Sequence, residues 1–245
     1  MIPKVIHYCW LSSGPMPANL QAYVDGWHRL LPDYEIKLWD YNAFPRGKSA
    51  WVDAAFDNRK FAFAADYIRA YALYHEGGIY LDSDVELLKT FDPLLQLPYF
   101  MCRETGSECV EAAVMGAEAG HPLFEALLRR YDSRQFVRDD GTLDTTTMPD
   151  VIGEELAALG VALRDVDAPE HVGREPGTLS VLPTDYFSPI DKENLELRAT
   201  ERTYCIHRFA GSWKSPWHRF KKRVQRAIGP RATRWVINAK RFIKS

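Results

Sequence analysis

The stretch that ends at Glu86, FAFAADYIRAYALYHEGGIYLDSDVE, constrains the fold more than any other part of this 245-residue chain. Ala62, Asp66, Arg69, Ala70 and Leu73 recur at helical spacing and mark one face of an amphipathic helix. Gly77 and Gly78 then supply the left-handed residue that stops a helix. Ile79, Tyr80 and Leu81 make a short buried-strand run, with Asp82-Ser83-Asp84 at its carboxyl end. In open α/β sheets that edge is where ligands bind. Two acids there, with Asp66 and Arg69 on the preceding helix, predict a site on an α/β sheet.

The flanking sequence supports such a sheet. Pro3–Tyr8 reads as an N-terminal strand with Trp10 at its end, Pro17–Leu31 as a helix, and Tyr34–Trp39 as a second strand. Strand–helix–strand favours a parallel pair. A helix over 49–57 leads into the central stretch, and 85–88 continues beyond it as a strand. Further strands are expected at 99–103, 110–115, 161–163, 179–182 and 203–206, and helices at 122–131 and 149–159. Residues 135–147 read as a polar loop. One domain over 1–213 and an appended tail over 214–245 is the predicted organisation.

Charge divides at the same point. Eleven of the 31 Lys and Arg residues follow Trp213, where there is no Asp or Glu; residues 1–213 keep 20 basic groups against all 33 acidic ones. A body that acidic does not suit nucleic acid, which needs a basic surface. The tail shows two apolar stripes, Trp217, Phe220, Val224 and Ile228, then Trp235, Val236, Ala239, Phe242 and Ile243, among basic residues. Basic amphipathic helices of this kind lie on an anionic membrane surface or pack on the domain with their charges solvated. Cys9, Cys102, Cys109 and Cys205 have neither CxxC spacing nor disulfide density, which points to reduced thiols and a cytoplasmic setting. The N-terminal residues are too polar for a signal peptide, and no apolar run is long enough to span a bilayer.

Asp82 and Asp84 offer hard oxygen donors suited to Mn²⁺ or Mg²⁺, which complete their shells with water and substrate phosphates. A DxD pair by itself also fits a solvated turn. His207, after a strand near the chain's end, offers an imidazole as a third ligand or a structural group. Ser212 and Trp213 carry a hydroxyl and an indole N–H that could donate to phosphate oxygens, and Trp10 a ring for stacking on a base or packing in the core.

The run AADYIRAYALYHEGGIYLDSDVE resembles the sugar-binding region with the DXD motif of glycosyltransferase family 32, and more distantly the glucosylating bacterial toxins. The resemblance extends to IPKVIHYCW, to VLPTDYFSPI (Val181 to Ile190) and to the terminal HRFAGSW. It implies a GT-A fold, a Rossmann-like nucleotide-sugar-binding mixed sheet flanked by helices. It also implies a divalent metal, often Mn²⁺, and transfer with retention from a nucleotide-sugar, a UDP-sugar ahead of GDP-mannose. Trp10 would stack on the base, and Asp66 and Arg69 would hold sugar hydroxyls, with Tyr80 counted among the substrate-binding residues. Asp82 would contact ribose and the metal's water, Asp84 and His207 would ligate the metal, and Ser212 and Trp213 would touch the diphosphate. Where many relatives carry Thr-Gly-Pro, this chain has Thr147-Met148-Pro149.

The implied role is a glycosyltransferase of bacterial surface polysaccharide synthesis, using a glycan or lipid-linked saccharide acceptor at the inner face of the cell membrane. Two other activities use the same residues. A haloacid-dehalogenase-type phosphatase would employ Asp82 as nucleophile and Asp84 as acid/base. A non-catalytic carbohydrate-binding subunit would keep the scaffold alone.

Overall fold

Strands β1 (Val5–Cys9) and β2 (Glu35–Trp39) pair in parallel across α1 (Ala18–Leu30), as the strand–helix–strand spacing predicts. The computed structural model describes residues 1–211 together with Gln225, Gly229 and Thr233. Ser212, Trp213 and the expected tail helices therefore lie outside the described residues.

Two helices follow, α2 (Ala50–Asp57) and α3 (Phe61–His75), and then β3 (Gly78–Leu81), which joins β1 in parallel. The order of the five-stranded sheet is β2-β1-β3-β6-β5, where β6 (Val114–Ala117) is antiparallel to both β3 and β5 (Tyr99–Phe100). Every residue of β3 is buried, as expected of a central strand covered on both faces. Two smaller ribbons complete the described sheets. β4 (Val85–Leu87) pairs antiparallel with β9 (Cys205–His207), and β7 (Ala162–Asp165) pairs parallel with β8 (Thr178–Val181).

The turn between α3 and β3 has to be glycine. Gly77 and Gly78 take φ of +66° and +100°, a region that L side chains rarely enter. A Cβ on Gly77 would lie 2.6 Å from the Ala119 nitrogen, and one on Gly78 2.7 Å from the Val5 carbonyl oxygen. The backbone therefore passes close to both neighbouring strands before it enters β3.

Helix α3 departs from the amphipathic expectation. Ala64, Tyr67, Ile68 and Ala72 are buried as well as Asp66, Arg69, Ala70 and Leu73 of the predicted face, because α3 packs against the sheet strands β1 and β3 and against both α2 and α4 (Pro122–Asp132). Its alanines permit that approach on both sides. Asp66 and Arg69 are thus carried into the interior, where a charge persists only if it is paired.

Two further expectations shift. The strand expected over 110–115 forms at Val114–Ala117 instead. Residues before it serve the site: the Ala112 carbonyl accepts from Arg69 and the Ala113 carbonyl from the Asp82 N–H. The polar segment 135–147 is pinned by a Val137–Leu143 bridge and by the buried carboxylate of Asp144, which accepts from Arg134 and Thr146. It precedes α5 (Met148–Ala158), whose first residue, Met148, is buried.

Candidate active site

The carboxyl ends of the parallel neighbours β1 and β3 open on one edge of the sheet, bringing Trp10 and Asp82 to the same side. Trp10 is half-buried, and its indole N–H donates to the Gly14 carbonyl at 2.9 Å. Behind the edge, Arg69 Nη2 lies 3.2 Å from Asp66 Oδ1 and 3.1 Å from Asp82 Oδ1, so one guanidinium joins helix α3 to the end of β3. Its Nη1 donates to the Ala112 carbonyl at 2.5 Å. Tyr80 lies under this group, with the guanidinium 4.4 Å from its ring centroid. At 1% exposure Tyr80 presents no open face to a substrate; it supports Arg69 from within β3.

The second aspartate faces the other way. The chain turns between Asp82 and Val85, with the Val85 N–H donating to the Asp82 carbonyl at 3.0 Å, and β4 starts immediately afterwards. The β4–β9 register sets Val85 opposite His207. This draws His207 Nε2 to 3.5 Å from Asp84 Oδ1, while Asp84 Oδ2 accepts from the Ala210 N–H at 2.6 Å. Ligand atoms of Asp82, Asp84 and His207 all lie within 4.8 Å of one another. Three residues separated in sequence by as many as 125 positions thus form one cluster, as expected from the sequence.

These donors fit a divalent cation. Two carboxylates and one imidazole match the oxygen-rich sets that take Mg²⁺ or Mn²⁺, the imidazole being more apt for the transition metal. The other ring nitrogen, His207 Nδ1, is buried without a hydrogen bond on the side away from Asp84, and Glu111 Oε2 stands 3.5 Å from it. Glu111, only 3% exposed, was not among the residues expected from the sequence. The signal for it lay in Val110-Glu111-Ala112-Ala113-Val114, where a lone carboxylate interrupts an apolar run and must find a partner if buried. Its other contacts are the Ser188 hydroxyl at 2.9 Å and the Ala113 N–H at 3.1 Å.

The environments of the acids differ accordingly. Burial pushes the Asp66 carboxyl up to about 6 against the pull of Arg69, and Asp82 is raised for the same reason. Burial acts upward on Asp84 and Glu111 too, but His207 more than offsets it. Asp84 falls below the usual carboxylate range and Glu111 to about 2. Burial works against the charge on His207, and the two carboxylates outweigh it, raising the imidazole well above its ordinary value. Asp82, Asp84 and His207 stand together where the chemistry of the donors favours a metal.

This geometry disfavours the phosphatase activity. Asp84 would have to move a proton, yet its two oxygens are held by Ala210 and His207.

Residues 17–101 match the glycosyltransferase sugar-binding region containing DXD motif. The matched region runs from the residue before α1 to the residue after β5, so it contains the Asp66–Arg69 helix and both site aspartates. Inositol phosphoceramide mannosyltransferase 3 of Schizosaccharomyces pombe is 34% identical over 132 residues, covering 52% of this chain and 36% of that protein. Mannosyl phosphorylinositol ceramide synthase SUR1 of Saccharomyces cerevisiae is 35% identical over 144 residues, covering 56% and 37%. The chain thus spans just over a third of the length of these relatives. A solved glycosyltransferase involved in glycosylation of the major capsid of PBCV-1 superposes with a TM-score of 0.52 at 11% identity, covering 89% of this chain and 97% of that one. The fold is the GT-A arrangement expected from the sequence.

Proposed function

We propose that this chain is a metal-dependent, retaining glycosyltransferase that moves a sugar from a nucleotide-sugar to a glycan or lipid-linked saccharide acceptor. One observation carries this reading: the unbroken row of Asp66, Arg69, Asp82, Asp84 and His207 along one sheet edge. A diphosphate bridging a base and a sugar needs a cation centre next to groups that orient hydroxyls, and this row supplies both. The matched sugar-binding region supports it.

A bound Mn²⁺ or Mg²⁺ would supply Lewis-acid stabilisation of the departing diphosphate. Asp84 and His207 would hold it directly, and Asp82 directly or through water. Asp66 and Arg69 orient the sugar, and Arg69 keeps Asp82 aligned at 3.1 Å. Trp10 stacks on the base, and Ser212 and Trp213 donate to the diphosphate. Front-face attack suits these residues, because each carboxylate of the cluster is already held. Arg69 engages Asp66 and Asp82, while Ala210 and His207 engage Asp84. The bond from the anomeric carbon to the phosphate oxygen breaks as the bond to the acceptor oxygen forms on the same face. The acceptor's proton passes to the departing phosphate oxygen, and positioning supplies most of the rate.

The names of the fungal relatives join mannosyl transfer to inositol phosphoceramide. This supports a lipid-linked acceptor and sets GDP-mannose beside the UDP-sugars expected from the sequence. A surface-polysaccharide precursor on a lipid carrier at the cytoplasmic face of the membrane is the acceptor we propose. No helix among the described residues is long and apolar enough to cross a membrane. Peripheral attachment through residues 214–245 would bring the enzyme to such an acceptor.

A panel of UDP- and GDP-sugars with Mn²⁺ tests the activity, with nucleoside diphosphate release as the readout. Release with one donor, abolished by EDTA, is the expected result. No turnover and no thermal shift with any donor would remove the transferase. Hydrolysis of p-nitrophenyl phosphate that is lost in Asp82→Asn would install the phosphatase instead. Flotation with anionic liposomes, comparing the full chain with a version ending at Trp213, tests the membrane role; equal flotation rules it out.

A further inference from the structure

We infer that Glu111 is a positioning residue for the imidazole of His207, acting from behind the cation cluster. This rests on the metal-dependent reading above and adds a residue that neither the DXD motif nor the matched region contains.

The geometry is that of a carboxylate buttressing a ligand imidazole. His207 presents Nε2 to Asp84 on one side and Nδ1 to Glu111 on the other, each at 3.5 Å. An imidazole that binds a cation through Nε2 must carry its remaining proton on Nδ1. That N–H then needs an acceptor to fix the tautomer and the ring plane. Glu111 Oε2 faces it.

Glu111 is itself fixed. The Ser188 hydroxyl donates to Oε2 and the Ala113 N–H to Oε1, so the carboxylate keeps one orientation while buried at 3% exposure. The three residues that start with Glu111 each hold a different part of the site. Glu111 faces His207, the Ala112 carbonyl accepts from Arg69, and the Ala113 carbonyl accepts from the Asp82 N–H at 2.9 Å. One short segment ahead of β6 therefore ties the third ligand, the bridging guanidinium and the first aspartate into a common frame. A carboxylate that only filled space would not need to lie at the far nitrogen of a candidate ligand.

The test is a double-mutant cycle on metal affinity, independent of turnover. Mn²⁺ binding is titrated by the loss of its free-ion electron paramagnetic resonance signal, alone and with UDP or GDP to retain a measurable site in weakened variants. Glu111→Gln is expected to weaken Mn²⁺ binding by about 10–100-fold in the otherwise native chain, the range for ligand-orienting groups. In the His207→Ala background the same change is expected to cost nothing further. Circular dichroism and thermal midpoints establish that each variant is folded. Unchanged affinity in Glu111→Gln, or an equal loss in both backgrounds, overturns the assignment and leaves Glu111 a structural acid. A native chain that takes up no Mn²⁺ under any of these conditions overturns the metal-dependent reading along with it. If Glu111→Gln does not fold, Ser188→Ala replaces it under the same criteria, with a smaller loss that again requires His207.

Discussion

The two sides of the candidate site meet at Ser83 but are assembled by different means. On the side proposed to face the sugar, Asp66, Arg69 and Asp82 come from one helix and the end of the strand after it, with a single guanidinium between two acids. On the side proposed to take the cation, Asp84 and His207 come together through the β4–β9 ribbon, and Glu111 arrives from a third segment. The charge pattern is inverted as well: one cation between carboxylates raised by burial, against one imidazole between carboxylates drawn down by it. A local arrangement can hold acids at a cost in burial energy because the backbone imposes it. A distant one has to be held by attraction between its own charges.

The largest expected effect lies on the cation-facing side. Asp84→Asn removes a charged ligand and should lower nucleotide-sugar turnover by about 10³-fold, since the lost charge stabilisation is worth several kcal/mol. Activity near the native level at saturating Mn²⁺ would show that the two sides do not divide the work as described. On the other side, Arg69→Met leaves Asp66 and Asp82 without their shared cation. We expect a loss of about 3–5 kcal/mol in urea unfolding, the range for breaking a buried charge pair. A midpoint like that of the native protein would mean the guanidinium does not hold that side together.

The pH dependence separates the two sides by sign. Asp66 has its folded value near 6, above the unfolded value of about 3.9. Its contribution to stability is complete below about pH 4 and is lost as pH rises through 6. Asp66→Asn should therefore gain roughly 2–3 kcal/mol over the native chain above pH 7, and nothing near pH 3. Glu111 behaves in the opposite sense: its contribution is present above about pH 4.3 and is lost as pH falls through 2. Thermal midpoints of Asp66→Asn and Glu111→Gln across pH 3–8 should diverge from the native curve in opposite directions. Parallel curves would dissolve the distinction. The smallest effect is expected at the sheet edge, where Trp10→Ala should raise the donor KM by about tenfold or less with kcat nearly unchanged, as loss of a stacking contact does. A fall in thermal midpoint without a change in KM would return Trp10 to the core.

Legibility in the sequence follows the same division. Helix α3, the glycine stop and β3 could be read because periodicity, φ > 0 and strand runs are local signals. His207 stood out as a histidine after a strand, but its pairing with Asp84 depends on a register between segments 120 residues apart, which no local pattern encodes. Glu111 was hidden because its role exists only once Ser188 and His207 have reached it. The burial of α3 on nearly all sides was equally non-local: Ala64 and Ala72 look solvent-tolerant until the sheet, α2 and α4 pack around the helix. Tyr80 was placed correctly in the strand, whereas its position beneath Arg69 emerged only from the packing.

The pairing of β4 with β9 also sets an order of events during synthesis. The Asp66–Arg69–Asp82 side is complete once residues 112 and 113, whose carbonyls accept from Arg69 and the Asp82 N–H, have left the ribosome, but the imidazole opposite Asp84 is made only with β9. Until then Asp84 lacks the groups that hold its carboxyl below the usual carboxylate range, His207 and the Ala210 N–H. A nascent or prematurely ended chain would carry the acids around Arg69 without the Asp82–Asp84–His207 cluster, which would assemble in one late step rather than gradually.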